Sequence, residues 1–147
     1  MNIKSLEQLN LISKKIANQL KVNDNIYLIG EIGVGKTTFT RYLINNLQIK
    51  EGIEISEVLS PTFNLLYEYN FKNFKLMHYD LYRIQREDEL DNLGLFSKDE
   101  DVIRVIEWPD LISTSVSEKL EIHFDYTKNK DERSIKLIGS DRWNNFK

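Results

Sequence analysis

The stretch "GEIGVGKTT", Gly30 to Thr38, directly after the apolar run "NIYLI", limits how this chain can fold more than any other feature. It matches G-x-x-x-x-G-K-[ST] at every fixed position, the pattern of a phosphate-binding loop. Glycines let the backbone wrap closely around phosphate oxygens and aim several N–H groups at them. Such a loop needs a strand before it and a helix after it, whose dipole points its positive end at the anion. Both are legible. "NIYLIG" reads as a buried strand, and Phe39, Tyr42, Leu43 and Leu47 recur at helical spacing across Thr37 to Leu47. Within the loop, Lys36 is placed to reach the β- and γ-phosphates, and the Thr37 hydroxyl to coordinate Mg²⁺.

The rest of the chain supplies a sheet for that unit. Apolar positions at Leu6, Leu9, Ile12, Ile16 and Leu20 predict a helix, and Ser5 followed by Gln8 resembles a capping box at its start. "EVLS" reads as a short strand ending at Ser60-Pro61. "FNLLYEYNF" and "FKLMHYDLY", separated by Lys72 and Asn73, predict a β-hairpin. "REDELDNLGL" predicts a short helix stopped by Gly94, and "VIRVIEW" a strand. "KLEIHFDY" and "RSIKLIG" around the polar turn "TKNKDE" predict a second hairpin. Hairpins combined with a strand-loop-helix unit imply a mixed sheet. The expectation is an α/β, P-loop NTPase-type three-layer fold with a mixed central β-sheet and flanking helices. At 147 residues it forms a single domain over 1–147.

Ligands of open α/β sheets bind beyond the carboxyl ends of strands. Two acids stand at such ends, Asp80 after "FKLMHY" and Glu107 after "VIRVI". Each fits a metal-binding or water-positioning role, and spacing leaves open which does which. In "SPTF", Ser60 and Thr62 are either γ-phosphate sensors or a turn into the hairpin. On an alternating strand one of His78 and Tyr79 faces the core. Arg83 either neutralises phosphate charge or pairs with an acid such as Glu87, and Trp108 is either core or a wall of the nucleotide site. Two near-motifs do not support guanine specificity. "NKDE", Asn129 to Glu132, has Glu where N-K-x-D needs Asp and falls in a hairpin turn. "DNLG", Asp91 to Gly94, follows "REDEL" and no apolar strand.

Composition narrows the partners. The net charge of −3 gives no overall attraction to nucleic acid, so RNA contact would require a local patch or a partner protein. The absence of cysteine excludes disulfides and thiolate metal sites. "MNIKSLEQLN" lacks the apolar core of a secretory signal, and no stretch approaches the roughly 20 apolar residues of a membrane span. The expected location is the cytoplasm.

Taken together, "GEIGVGKTTFTR", "SPTF", "HYDLYR", "ELDNLGL" and "IEWP", in this order and spacing, resemble the TsaE (YjeE) family, over about Ser5 to Tyr126. That family comprises small P-loop ATPases of bacterial tRNA threonylcarbamoyladenosine synthesis. The resemblance implies ATP and Mg²⁺ as ligands, and TsaB and TsaD as partners. Those partners transfer a threonylcarbamoyl group to an adenosine beside the tRNA anticodon, so that ATP hydrolysis supports or resets the cycle and tRNA contact is indirect. By motif position, Gly33, Val34, Gly35, Lys36, Thr37 and Thr38 would hold the phosphates. Thr37 and Glu107 would ligate Mg²⁺, and Asp80 would be a further catalytic acid beside Lys36 and Glu107. Thr62 would belong to a switch-like loop, Trp108 would neighbour the nucleotide, and Ser5 to Glu7 would lie near the adenine. Glu31 stands where many relatives carry Asp, and Val34 where many carry Ala; both contribute backbone to the loop. "SDRWNNFK" matches no motif. Two other classes share the loop: a small-molecule P-loop kinase, which usually adds an arginine-bearing lid, and a nucleotide-dependent binding module with negligible turnover.

Overall fold

The computed structural model describes residues 1–95, 97, 101–113 and 118–146. Helix α1 (Leu6–Gln19) starts as the sequence dictates: Ser5 is extended and its Oγ accepts the Gln8 N–H at 3.2 Å. Gln8 Oε1 reaches back to accept the Lys4 N–H at 2.7 Å, one residue beyond the usual reciprocal partner, the N-cap's own N–H. Helix α2 (Lys36–Glu51) follows strand β2 (Asn25–Ile29) through the glycine-rich loop. Six further strands are β1 (Asn2–Ile3), β3 (Leu66–Asn70), β4 (Lys75–Asp80), β5 (Val102–Glu107), β6 (Lys119–Tyr126) and β7 (Arg133–Gly139).

The strands form one mixed sheet in the order β1-β7-β6-β2-β5-β4-β3. The four inner strands β6, β2, β5 and β4 run parallel, while both predicted hairpins supply antiparallel partners at the edges. The glycine-rich loop therefore leaves the middle of the sheet. On its flank, register pairs Leu28 with Glu107 and Asp80 with Glu107, so both strand-end acids lie in one row beside the loop.

Side-chain alternation divides the core in two. Ile26, Leu28, Leu76, Ile103, Val105 and Ile122 face α1 and α2. Tyr27, Met77, Tyr79, Val102 and Ile106 face the other way, onto Leu81, Leu90 and Leu95. That second layer is built around a 3₁₀ turn over Glu87–Leu93, where the sequence predicts a short helix ending at Gly94. "EVLS" is not a strand. Its single buried side chain, Val58, anchors it to the α-helical face, and the Leu59 backbone meets the Tyr69 hydroxyl and not a sheet ladder. The two-residue β1 has no sequence signal of its own.

The unmatched C-terminal motif is structural. Arg142 donates to both oxygens of the buried Asp24 carboxylate, at 2.9 and 2.6 Å, and to the Gln19 carbonyl at 3.2 Å. This ties the 3₁₀ segment Asp141–Phe146 to the turn before β2. Arg142→Ala leaves Asp24 with the Lys21 N–H as its remaining described donor. Chemical denaturation is expected to show a loss of about 1–3 kcal/mol, the usual cost of stranding a buried polar group.

Candidate functional site

The loop's conformation depends on glycines: Gly30, Gly33 and Gly35 all have positive φ. Gly30 has φ 155°, and a Cβ there would lie 2.6 Å from the Phe124 carbonyl oxygen and 2.9 Å from Val34 Cγ1. Gly30→Ala is therefore expected to cost about 2–3 kcal/mol in a thermal or urea melt, through backbone strain and a clash with main chain that cannot rotate away. Gly35 has φ 123° and open space where a Cβ would stand. It precedes α2, whose first turn carries no side-chain cap, so its N–H groups face the cleft end of a 16-residue helix.

Lys36, only 5% exposed, donates from Nζ to the carbonyls of Gly30 and Glu31, the latter at 3.1 Å. Its Nζ also lies 4.2 Å from the centre of the Trp108 ring. Burial lowers its pKa from the ordinary lysine value, while the carboxylates of Glu107, Asp80 and Asp110 oppose that shift. A cation with three acids around it in a desolvated cleft is suited to charged phosphate chemistry.

The acids hold distinct partners. Thr37, in the first turn of α2, donates from Oγ1 to Glu107 Oε1 at 3.4 Å, a long contact that juxtaposes two hard oxygen donors. The other Glu107 oxygen lies 2.8 Å from His78 Nε2. Asp80 accepts the Thr62 hydroxyl at 3.1 Å through Oδ2 and the Tyr82 N–H at 3.0 Å through Oδ1. Thr62 Oγ1 in turn lies 2.8 Å from Ser60 Oγ. "SPTF" thus forms the turn into the hairpin, and within it the Thr62 hydroxyl is held on Asp80.

Trp108 is likewise a wall of the cleft. It is half-buried with a left-handed backbone (φ 58°), and its ring packs 4.9 Å from that of Tyr82 and under Lys36. Of the pair before Asp80, both are fully buried, on opposite faces: Tyr79 in the second core and His78 against Glu107. Arg83 is not paired with Glu87, which accepts from Ser113. Its guanidinium instead lies over the Phe63 ring at 5.7 Å. Asp91 lies inside that turn, away from the site, and "NKDE" forms the β6–β7 turn as expected.

Two clefts meet at the loop. One of about 230 Å³ is lined by Lys36, Thr37, Thr62, Asp80, Glu107 and Trp108. The other, about 440 Å³, opens between the start of α1 and the β6–β7 turn, with Ser5, Leu6, Val34, Phe124, Lys130 and Arg133 in its walls. Gly33, Gly35 and Thr38 border both, so one elongated ligand can occupy them together. The family resemblance implies a place for Ser5 near the adenine, and Ser5 lines the larger cleft; sequence reasoning did not anticipate the β6–β7 turn opposite it. Nor did it find the Tyr126 hydroxyl, which donates to the Ile32 carbonyl at 2.9 Å and braces the loop from β6.

Comparison with known proteins places this geometry in context. The family model for threonylcarbamoyl adenosine biosynthesis protein TsaE matches residues 3–135. Three curated proteins named tRNA threonylcarbamoyladenosine biosynthesis protein TsaE are similar. That of Rickettsia felis is 38% identical over 72% of this chain and 60% of its own length. That of Aquifex aeolicus is 37% identical over 72% and 73%. That of Borreliella burgdorferi is 35% identical over 76% and 78%. The chain thus spans about 60% of the length of the Rickettsia felis relative. The crystal structure of Bacillus subtilis YdiB superposes with a TM-score of 0.67 at 29% identity, covering 93% of this chain and 82% of that one.

Proposed function

The chain belongs to the TsaE family of threonylcarbamoyl adenosine biosynthesis proteins, and from that premise we propose that it binds Mg²⁺–ATP and hydrolyses it. In this reading it acts with TsaB and TsaD proteins to support or reset the threonylcarbamoyl-transfer cycle on tRNA. The carrying observation is the approach of Thr37 Oγ1 to Glu107 Oε1, with Lys36 beside them. A hydroxyl and a carboxylate suit Mg²⁺, which usually takes one or two protein oxygens and completes its shell with phosphate and water. This accords with the described residues, among which no group of three or more His, Asp and Glu side chains forms a metal cage.

In this reading the residues lining the clefts divide the work. The loop amides and Lys36 hold the phosphates, and Thr37 and Glu107 hold the metal. The chemistry a bound Mg²⁺ supplies is neutralisation of charge on the β- and γ-phosphate oxygens. Asp80 orients a water or the hydroxyl of Thr62, and Trp108 covers the phosphate end of the cleft, keeping bulk water from Lys36. The larger cleft takes the base and ribose. Phe63, 81% exposed and adjacent to Thr62, turns a change at Asp80 into a change at the surface, which a partner can read.

The test is Mg²⁺-dependent ATP turnover by the pure protein, alone and with a TsaB–TsaD pair, with Lys36→Ala as control. Stimulation by the pair, absent in the control, is the expected result. Turnover unchanged by the pair, with no measurable association, sinks the partner-dependent part. Phosphate transferred to a small acceptor in place of free phosphate replaces the reading with a kinase.

A further inference from the structure

One buried titratable group at the site has no task in that reading. His78 is fully buried in β4, and lies on the same face of the sheet as Asp80, two residues on. Across the ladder it stands opposite Val105, which sets its ring beneath the side chain of Glu107. Its Nε2 lies 2.8 Å from Glu107 Oε2, whereas its buried Nδ1 has no hydrogen-bond partner among the described residues. A carboxylate oxygen accepts and does not donate. The tautomer with its hydrogen on Nε2 places the ring's N–H where an acceptor stands, and leaves no buried N–H stranded.

We propose that His78 is a positioning residue for the metal-facing carboxylate: its Nε2–H holds Oε2 of Glu107 and so turns Oε1 toward the Thr37 hydroxyl. The inference rests on the Mg²⁺–ATP reading and deepens it. Glu107 is 3% exposed at the last position of β5, with three side-chain torsions between its backbone and its oxygens. Strand pairing fixes where that side chain starts; His78 fixes where it ends. Hydrogen bonds behind a metal ligand orient it, and their loss typically costs 10- to 100-fold in metal affinity.

The experiment titrates Mg²⁺ against binding of a fluorescent ATP analogue to the full chain, and measures analogue affinity separately in EDTA. His78→Leu is expected to raise the half-saturating Mg²⁺ concentration about 10- to 100-fold and to leave affinity in EDTA within about 2-fold. His78→Gln, whose amide nitrogen takes the Nε2 place, is expected to restore the wild-type midpoint to within a few fold. His78→Asn, whose amide falls short of Glu107, is expected to behave like the leucine variant and carries the test should that variant unfold. A wild-type midpoint in His78→Leu and His78→Asn, or a His78→Gln midpoint shifted as far as theirs, would overturn the inference by reducing His78 to packing. A wild-type chain indifferent to Mg²⁺ is a separate result, which overturns the metal reading and the inference with it.

Discussion

Lys36→Ala is expected to cut ATP turnover by about 10²- to 10³-fold, the usual loss when one preorganised donor to developing charge is removed, while the chain stays folded. The two halves of this expectation come from the same burial. Lys36 is held in a desolvated cleft by loop carbonyls and the Trp108 ring, so its charge is available to phosphate oxygens without reorganisation. That same desolvation lowers its pKa in the folded state. The unfolded chain then binds more protons than the folded one between the lowered value and the ordinary 10.5. Stability gains as pH rises through that window. The alanine variant lacks this gain, and its melting temperature at neutral pH is expected to equal or exceed that of the wild type. The carbonyls it frees belong to exposed Glu31 and half-buried Gly30, within reach of water. Two measurements check the prediction: steady-state phosphate release, and thermal melts from pH 7 upward. Normal phosphate release by the variant would remove the phosphate role from the loop. A large drop in melting temperature would make Lys36 a structural residue first.

Glu107→Gln is expected to lose about 10²-fold or more of Mg²⁺-dependent turnover, an effect in the range seen when a group acting on transition-state charge is removed. The substitution keeps size, one acceptor oxygen and the strand-end position, and removes the charge. Nucleotide binding in EDTA is expected to persist, because the loop amides and Lys36 are untouched. Measuring turnover against Mg²⁺ concentration separates a metal defect, which shifts the midpoint, from a general one, which lowers the plateau. An unchanged Mg²⁺ profile would move the metal role to Asp80. The geometry favours Glu107, since its Oε1 meets the Thr37 hydroxyl, whereas the Asp80 oxygens meet Thr62 and the Tyr82 backbone.

The elements that were legible in the sequence are those with local causes. The strand before the glycine-rich loop, the helix after it, the Ser5 cap and both hairpins each follow from periodicity and turn chemistry within a dozen residues. The rows of acids were half legible. Asp80 and Glu107 read as strand ends, but that they are neighbours depends on β4 lying next to β5, an order that no local pattern encodes. For the same reason the His78–Glu107 contact was out of reach, its partners being 29 positions apart. "EVLS" has strand-like composition, yet its backbone finds a side chain and not a ladder. Arg83 had an acid at helical spacing in Glu87, and the structure gives it an aromatic ring. Trp143 and Arg142 lie in a segment without periodicity, and are placed by what they pack on: Gly139 and Asp24.

The pairing of Asp80 with Glu107 and of His78 with Val105 makes the site a single point of failure in a ladder. A slip of β4 by one residue against its neighbours would exchange His78 and Asp80 for Met77 and Tyr79 on the helix-facing side. Polar groups would then meet the second apolar layer, and a thioether and a phenol would stand beside the loop. No intermediate register exists, because the alternation has a period of two. A one-residue deletion inside Lys75–Asp80 is thus a sharper lesion than one in the connection over 81–86, even though both lie equally near the cleft in sequence. The chemistry is carried by strand phase, and the start of the connection only completes it, through the Tyr82 N–H on Asp80 Oδ1.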